Sequence, residues 1–221
     1  MNYHTIEKMA KEDVMIGFSP IMKIEGAAYT QCPHCPYGKQ THTPFKKVEA
    51  QPLEIGDTVV SDICSPFEAS MNGYKYFVSW IDLKIWYADV DFLKDKESAT
   101  VASSFRCYIT WLKKQKSANV KRIWSDNGKE YTGKPFQDVC SELGIIHQTT
   151  SPYTPEHNGV AEQYNWTLQE GALTLQHNAN LSNKFWVSAI DTMSFVWNQV
   201  LHSKIGTTPY EAFWGIKPRI D

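Results

Sequence analysis

No stretch of this 221-residue chain approaches the roughly 18 consecutive apolar residues of a bilayer span, which excludes reading any segment as a transmembrane helix. The opening "MNYHTIEKMAKEDV" lacks the apolar core of a secretory signal, so an exported protein is not expected. Cysteine is scarce and odd in number: there are five, and only Cys32 and Cys35 sit close together. That argues against a disulfide framework and for an intracellular chain carrying a metal knuckle. Positive charge is also short. With 22 Lys and Arg against 24 Asp and Glu, the net charge is -2, and proteins that grip phosphate backbones usually carry a basic excess. Composition therefore lends no support to nucleic-acid binding, and the short basic runs at 38–47 and 111–122 read first as solvated surface. Internal repeats and low-complexity tracts are absent as well.

What is present is an ordinary globular composition, 42% hydrophobic and 21% charged, with 8 Trp spread along the chain. Residues 1–50 read as a separate small unit. It has one short helix, with Ile6, Met9 and Ala10 at helical spacing, then "CPHC" and a linker. From about residue 57 the pattern is α/β. "DTVVSDIC", "YKYFVSWI" and "IWYADVDFL" read as three strands of an antiparallel meander, the last with Trp86, Ala88, Val90 and Phe92 on one face. Val101, Phe105, Tyr108, Ile109 and Leu112 predict a helix with one buried stripe, and Asp95 is its candidate N-cap. A strand "VKRIW", a turn "SDNGKEY", a helix closed by Gly144 and a strand "IIHQ" follow. Then come a loop and long helix in "SPYTPEHNGVAEQYNWTL" and an apolar helix, "NKFWVSAIDTMSFVWNQVLH". Three strands, helix, strand, helix, strand, then helices make a mixed sheet covered by helices, unlike a doubly wound order.

On this outline three carboxylates fall at element ends. Asp62 lies in the first apolar strand, where an unpaired carboxylate is costly and no Lys or Arg is near in sequence. Asp126 follows the fourth strand, and Glu162 opens the long helix. One reading is capping and surface acids. The other is a divalent-metal site, because magnesium and manganese take hard oxygen ligands, and two ions about 4 Å apart can activate an attacking hydroxyl and stabilise a leaving oxygen.

"VVSDICSP", "IWSDNGKEY" and "SPYTPEHNGVAEQYNWTL", in this order, resemble the three signature blocks of integrases encoded by Ty1/copia-type LTR retrotransposons, in the retroviral integrase superfamily. Thirty-five residues separate Asp126 from Glu162, the gap of a D,D-35-E core, and the stretch from Asn183 to Pro218 is similar to the segment following that core. The resemblance implies a ribonuclease-H-like α/β fold over residues 54–221 and a polynucleotidyl transferase that trims DNA 3′ ends and joins them to target DNA. Asp62, Asp126 and Glu162 would be catalytic and would hold two Mg2+ or Mn2+ ions. Nucleic-acid contacts fall on Asn158, Gly159, Asn165 and Lys129. The implied partner is double-stranded DNA, engaged by a homo-oligomer, in the nucleus or a cytoplasmic particle. Asn127 and Gly128 would shape the turn after Asp126. Glu130 and Glu156 read as surface, and His147 and His157 as hydrogen-bonded structural groups.

Residues 1–50 resemble a truncated zinc-binding unit preceding such cores, with Cys32 and Cys35 as two Zn2+ ligands. The histidine pair expected to complete the site would lie before the first residue; the start reads as an internal methionine of a truncated frame, and the zinc site as incomplete. Several positions depart from the family. Gln163, Trp166, Trp124 and Trp86 stand where the family typically has basic residues, Arg at three of the four. Changes from Arg to Trp or Gln each need a single C-to-T transition on one DNA strand or the other. The expectation is a decayed or repurposed copy that keeps its carboxylates while losing DNA affinity. Two further readings are an inactive DNA-binding or protein-interaction remnant and a nuclease of the same fold.

Overall fold

Alternation along the first strand sorts its side chains between two separate cores. The computed structural model describes Met9, residues 54–64, 67–149 and 159–219. The Cys32–Cys35 knuckle, Asn158, Glu156 and His157 lie outside the described residues. Five strands, β1 (Val59–Cys64), β2 (Tyr76–Asp82), β3 (Ala88–Leu93), β4 (Arg122–Ser125) and β5 (Ile146–Thr149), form one sheet in the order β3-β2-β1-β4-β5. The β1–β2 and β2–β3 pairs are antiparallel, as the meander predicts; β1–β4 and β4–β5 are parallel.

Val59, Val78, Trp80 and Ile123 face one side, where they meet α1 (Ser98–Lys116) and α3 (Lys134–Leu143) through Phe105, Leu112, Phe136 and Val139. Val60, Phe77, Ile81 and Ala88 face the other. There they meet Ala161, Tyr164 and Leu168 of α4 (Gly159–Asn178) and Trp186 and Ile190 of α5 (Trp186–Gln199). The short helices α2 (Lys129–Thr132) and α6 (Pro209–Trp214) complete the described set. Each fully buried side chain of the Phe105 or Leu168 kind contributes about 1.5–3 kcal/mol, so the two cores dominate stability. Among the described residues, no helix is long and apolar enough to cross a membrane.

Several local expectations are corrected. Asp95 is not the N-cap of α1: that position is Glu97, and Asp95 Oδ1 instead accepts from Glu97 N–H at 3.1 Å and Thr100 Oγ1 at 2.6 Å, bracing the first turn from outside. Trp86 is not in β3. It sits in the preceding turn with φ +59° and stacks on His202, while Ala88, Val90 and Phe92 do share the α5-facing side. The last long helix begins at Trp186, after a 3-10 turn at Asn183–Phe185, and Phe185 is exposed. Its buried stripe also holds polar residues with fixed partners. Asn198 accepts from Ala88 N–H at 3.0 Å and donates to Ala88 C=O at 2.7 Å, tying α5 to the start of β3. Gly144 closes α3 in the left-handed region at φ +66°, as predicted.

Candidate active site

Parallel pairing of β1 with β4 places the first two carboxylates side by side. Val60 pairs with Trp124, and Asp62 and Asp126 each lie two positions further on, on the side covered by α4. Asp62 ends up half-buried with no cation beside it among the described residues. Its partner is Asn165, whose side-chain amide donates to Asp62 Oδ2 at 3.0 Å. Asn165 is buried, and its Oδ1 has no hydrogen-bond partner among the described residues. Burial is the main force pushing the Asp62 carboxyl up to about 7; the negative charge of Asp126 and then that of Glu162 push the same way. The Asn165 amide and the Ile63 backbone oppose the rise. The site is therefore a place where negative charge is crowded and poorly solvated.

Asp126 is held differently. Its Oδ1 accepts from Gly128 N–H at 2.9 Å, the local turn that Asp-x-Gly sequences favour. Gly128 is required by space: a Cβ there would lie 2.9 Å from Asp126 Oδ1 and 2.7 Å from Glu130 Cδ. The same contact corrects the reading of Glu130 as surface. Its side chain is 12% exposed, folded back over the Asp126 turn with Lys96 Nζ 3.7 Å away. Its place four residues after Asp126 was the available signal.

Glu162 lies in the first turn of α4, exposed, with its charge felt at Asp62. It is not drawn into a tight cluster: among the described residues, no three of His, Cys, Asp and Glu are gathered closely enough to hold a metal ion. Asp62 and Asp126 still offer the hard carboxylate oxygens that a divalent cation takes, with Asn165 behind Asp62, and Glu162 stands at the rim. Gly159 is buried at the start of α4, and Gln169 Nε2 donates to Cys64 Sγ at 2.9 Å, pinning the helix to the end of β1. Lys129 is exposed at the start of α2. Gln163 is exposed beside Glu162, and Trp124 donates its indole N–H to Gln148 across β4 and β5.

Sheet order, flanking helices and the juxtaposed aspartates define an integrase-like α/β core. Residues 54–155 match the integrase core domain family. The chain is 38% identical over 185 residues, 82% of its length, to the Nicotiana tabacum retrovirus-related Pol polyprotein from transposon TNT 1-94, of which it spans only 14%. It is similar in fold to the HTLV-2 integrase catalytic core domain in complex with magnesium (TM-score 0.56, 21% identity, covering 73% of this chain and 98% of that one). It is similar also to a chain of the simian T-cell lymphotropic virus intasome in complex with PP2A regulatory subunit B56 gamma (TM-score 0.61, 22% identity, covering 81% and 62%). The chain belongs to the retroviral integrase superfamily, among the integrases of Ty1/copia-type retrotransposons.

Proposed function

We propose that this chain is the catalytic core of a metal-dependent DNA strand transferase, with Asp62, Asp126 and Glu162 as its functional carboxylates. The observation that carries the reading is the half-buried Asp62, pushed up to about 7 by burial and by Asp126 and Glu162, and held, among the described residues, by a buried amide rather than by a cation. Such a carboxylate is poised to exchange its proton for a divalent ion. The magnesium named in the complex of the similar HTLV-2 core supports that choice of ion. Asp62 and Asp126 would hold the ion, Glu162 would complete its surroundings, and magnesium or manganese would supply Lewis-acid stabilisation of the phosphoryl oxygens. Asn165 keeps the Asp62 carboxylate oriented, and the start of α4 keeps Glu162 at the rim.

The reaction is in-line displacement at phosphorus. A water or a DNA 3′-hydroxyl gives up its proton to solvent as its oxygen forms the new P–O bond, the opposite P–O bond breaks, and the leaving 3′-oxygen takes up a proton from solvent. No covalent enzyme intermediate is involved. Double-stranded DNA is the proposed partner and a homo-oligomer the proposed acting form, in line with the intasome membership of the simian viral relative. In this reading residues 54–221 form the core with its following helical segment, and 1–50 a zinc-binding-like unit carrying Cys32 and Cys35. The site of action is the nucleus or a cytoplasmic particle.

The test is calorimetric titration of the intact chain with Mg2+ and Mn2+, alongside Asp126→Asn, followed by joining of a labelled recessed 3′ end to plasmid DNA. Binding abolished by the substitution, together with joined product, is the expected result. Hydrolysis without joining would reduce the activity to a nuclease. A second reading, a remnant that keeps the fold without catalysis, is favoured by exposed Gln163 beside Glu162 and the net charge of -2. Equal metal binding in both proteins, or none in either, would select it.

A further inference from the structure

Behind the two aspartates, on the opposite face of the sheet, runs an internal polar chain that the proposed chemistry leaves unused. Ser61 precedes Asp62 and Ser125 precedes Asp126, so both hydroxyls point to the α1–α3 side, and both residues are fully buried. Ser61 Oγ lies 2.7 Å from the hydroxyl of buried Tyr131. Gln137 spends both N–H groups of its amide, one on Tyr131 C=O at 2.8 Å and one on His147 Nδ1 at 2.7 Å. Because an amide nitrogen only donates, His147 Nδ1 must accept. The ring proton therefore sits on Nε2 and is donated to Ser125 Oγ at 2.8 Å. The Ser125 hydroxyl is left to donate to Asp126 C=O at 2.9 Å. Every link has a defined direction, apart from the Ser61–Tyr131 hydroxyl pair, in which either oxygen can donate.

Resting on the strand-transferase reading, we propose that Tyr131, Gln137 and His147 are positioning residues. They fix the separation of Asp62 and Asp126 by bracing Ser61 and Ser125 from the far side of the sheet. The strands alone do not do this. The β1–β4 ladder is registered at Val59↔Ile123 and Val60↔Trp124, two residues short of the aspartates, where backbone pairing has ended. The side-chain chain takes over where the ladder stops. Burial holds His147 below its ordinary pKa, in keeping with the neutral tautomer that the bonds require.

The test uses the intact chain. Nitrogen NMR of His147 in metal-free protein should show the Nε2–H tautomer; an Nδ1–H tautomer overturns the proposal. Mn2+ affinity is then measured by calorimetry for Tyr131→Phe and Ser125→Ala, with thermal unfolding of each. Both should bind Mn2+ at least about tenfold more weakly, the scale set by losing hydrogen-bond partners behind metal ligands. Leu112→Ala, which cuts into the α1 core away from the site, should lower the unfolding midpoint by as much while keeping affinity within about twofold. Undiminished affinity in Tyr131→Phe and Ser125→Ala, with binding still lost in Asp126→Asn, refutes the positioning role and leaves the strand-transferase reading intact. Equal weakening by Leu112→Ala refutes it too. Absence of Mn2+ binding in the unaltered chain removes both.

Discussion

Asn165 donates to Asp62 Oδ2 at 3.0 Å, a bond that joins α4 to β1 across 103 positions of sequence. It is the contact that converts an isolated strand carboxylate into part of a site. Asn165→Ala should raise the Asp62 pKa beyond about 7, since the amide is the leading influence holding it down. It should also destabilise the fold by roughly 1–3 kcal/mol at pH 8, where the charged carboxylate has lost the Asn165 donor and keeps, among the described residues, only the Ile63 backbone. Carboxyl carbon NMR and urea unfolding at pH 5 and pH 8 read both effects, and an unmoved Asp62 titration would contradict this account.

Asp62 also makes stability depend on pH in a defined direction. Its folded pKa of about 7 stands above the ordinary aspartate value of 3.8, so the unfolded chain releases this proton first as pH rises. The stability contributed by neutral Asp62 is full below pH 4 and declines between pH 4 and 7, by up to about 1.4 kcal/mol per pH unit. Asp89, pushed up to about 6 mainly by burial, acts in the same direction. Asp62→Asn should flatten part of the decline in urea melts and leave the Asp89 part. An unchanged slope would mean that Asp62 is charged throughout that range.

Gly128→Ala tests the turn that holds Asp126. A Cβ 2.9 Å from Asp126 Oδ1 must displace the carboxylate or the Glu130 side chain. The expected result is a loss of about 1–3 kcal/mol of stability, together with weaker Mn2+ binding in calorimetry. Full metal affinity in this variant would show that Asp126 accommodates the shift without consequence.

Gln163 lies exposed near the start of α4, next to Glu162. Gln163→Arg should strengthen DNA binding. It should also steepen the dependence of log affinity on log salt by about 0.9 for the one phosphate it neutralises. Fluorescence anisotropy with a labelled duplex at several salt concentrations is the measurement. An unaltered slope would place Gln163 away from the DNA path.

Short-range rules were enough for much of this molecule. The meander is legible because half-buried strands alternate and helices repeat near 3.6 residues, and both periods are written in the order of Ala88, Val90 and Phe92 or of Val101, Phe105 and Leu112. Asp126 with Gly128 is a local turn, so its geometry is contained in three neighbouring residues. Trp86 escaped because its apolar ring suggests a strand. Its left-handed backbone is stabilised by stacking on His202, more than a hundred residues away. Glu130 escaped for a similar reason: charge predicts exposure, and only the fold-back of α2 over the Asp126 turn buries it.

By itself, the sequence determined the order of elements, the two faces of the sheet, and the placing of one acid within the first strand, one just after the fourth and one in the first turn of the long helix. These depend on periodicity and on turn chemistry between near neighbours. Tertiary structure alone decided that Asp62 and Asp126 come within reach of each other's charge, by pairing β1 in parallel with β4. It also decided that the Asn165 amide meets Asp62, and that a His147–Gln137–Tyr131 chain stands behind the two aspartates. Those facts depend on contacts between distant segments, and on how burial sets the charge each group can carry. Neither is expressed in the local pattern of a chain.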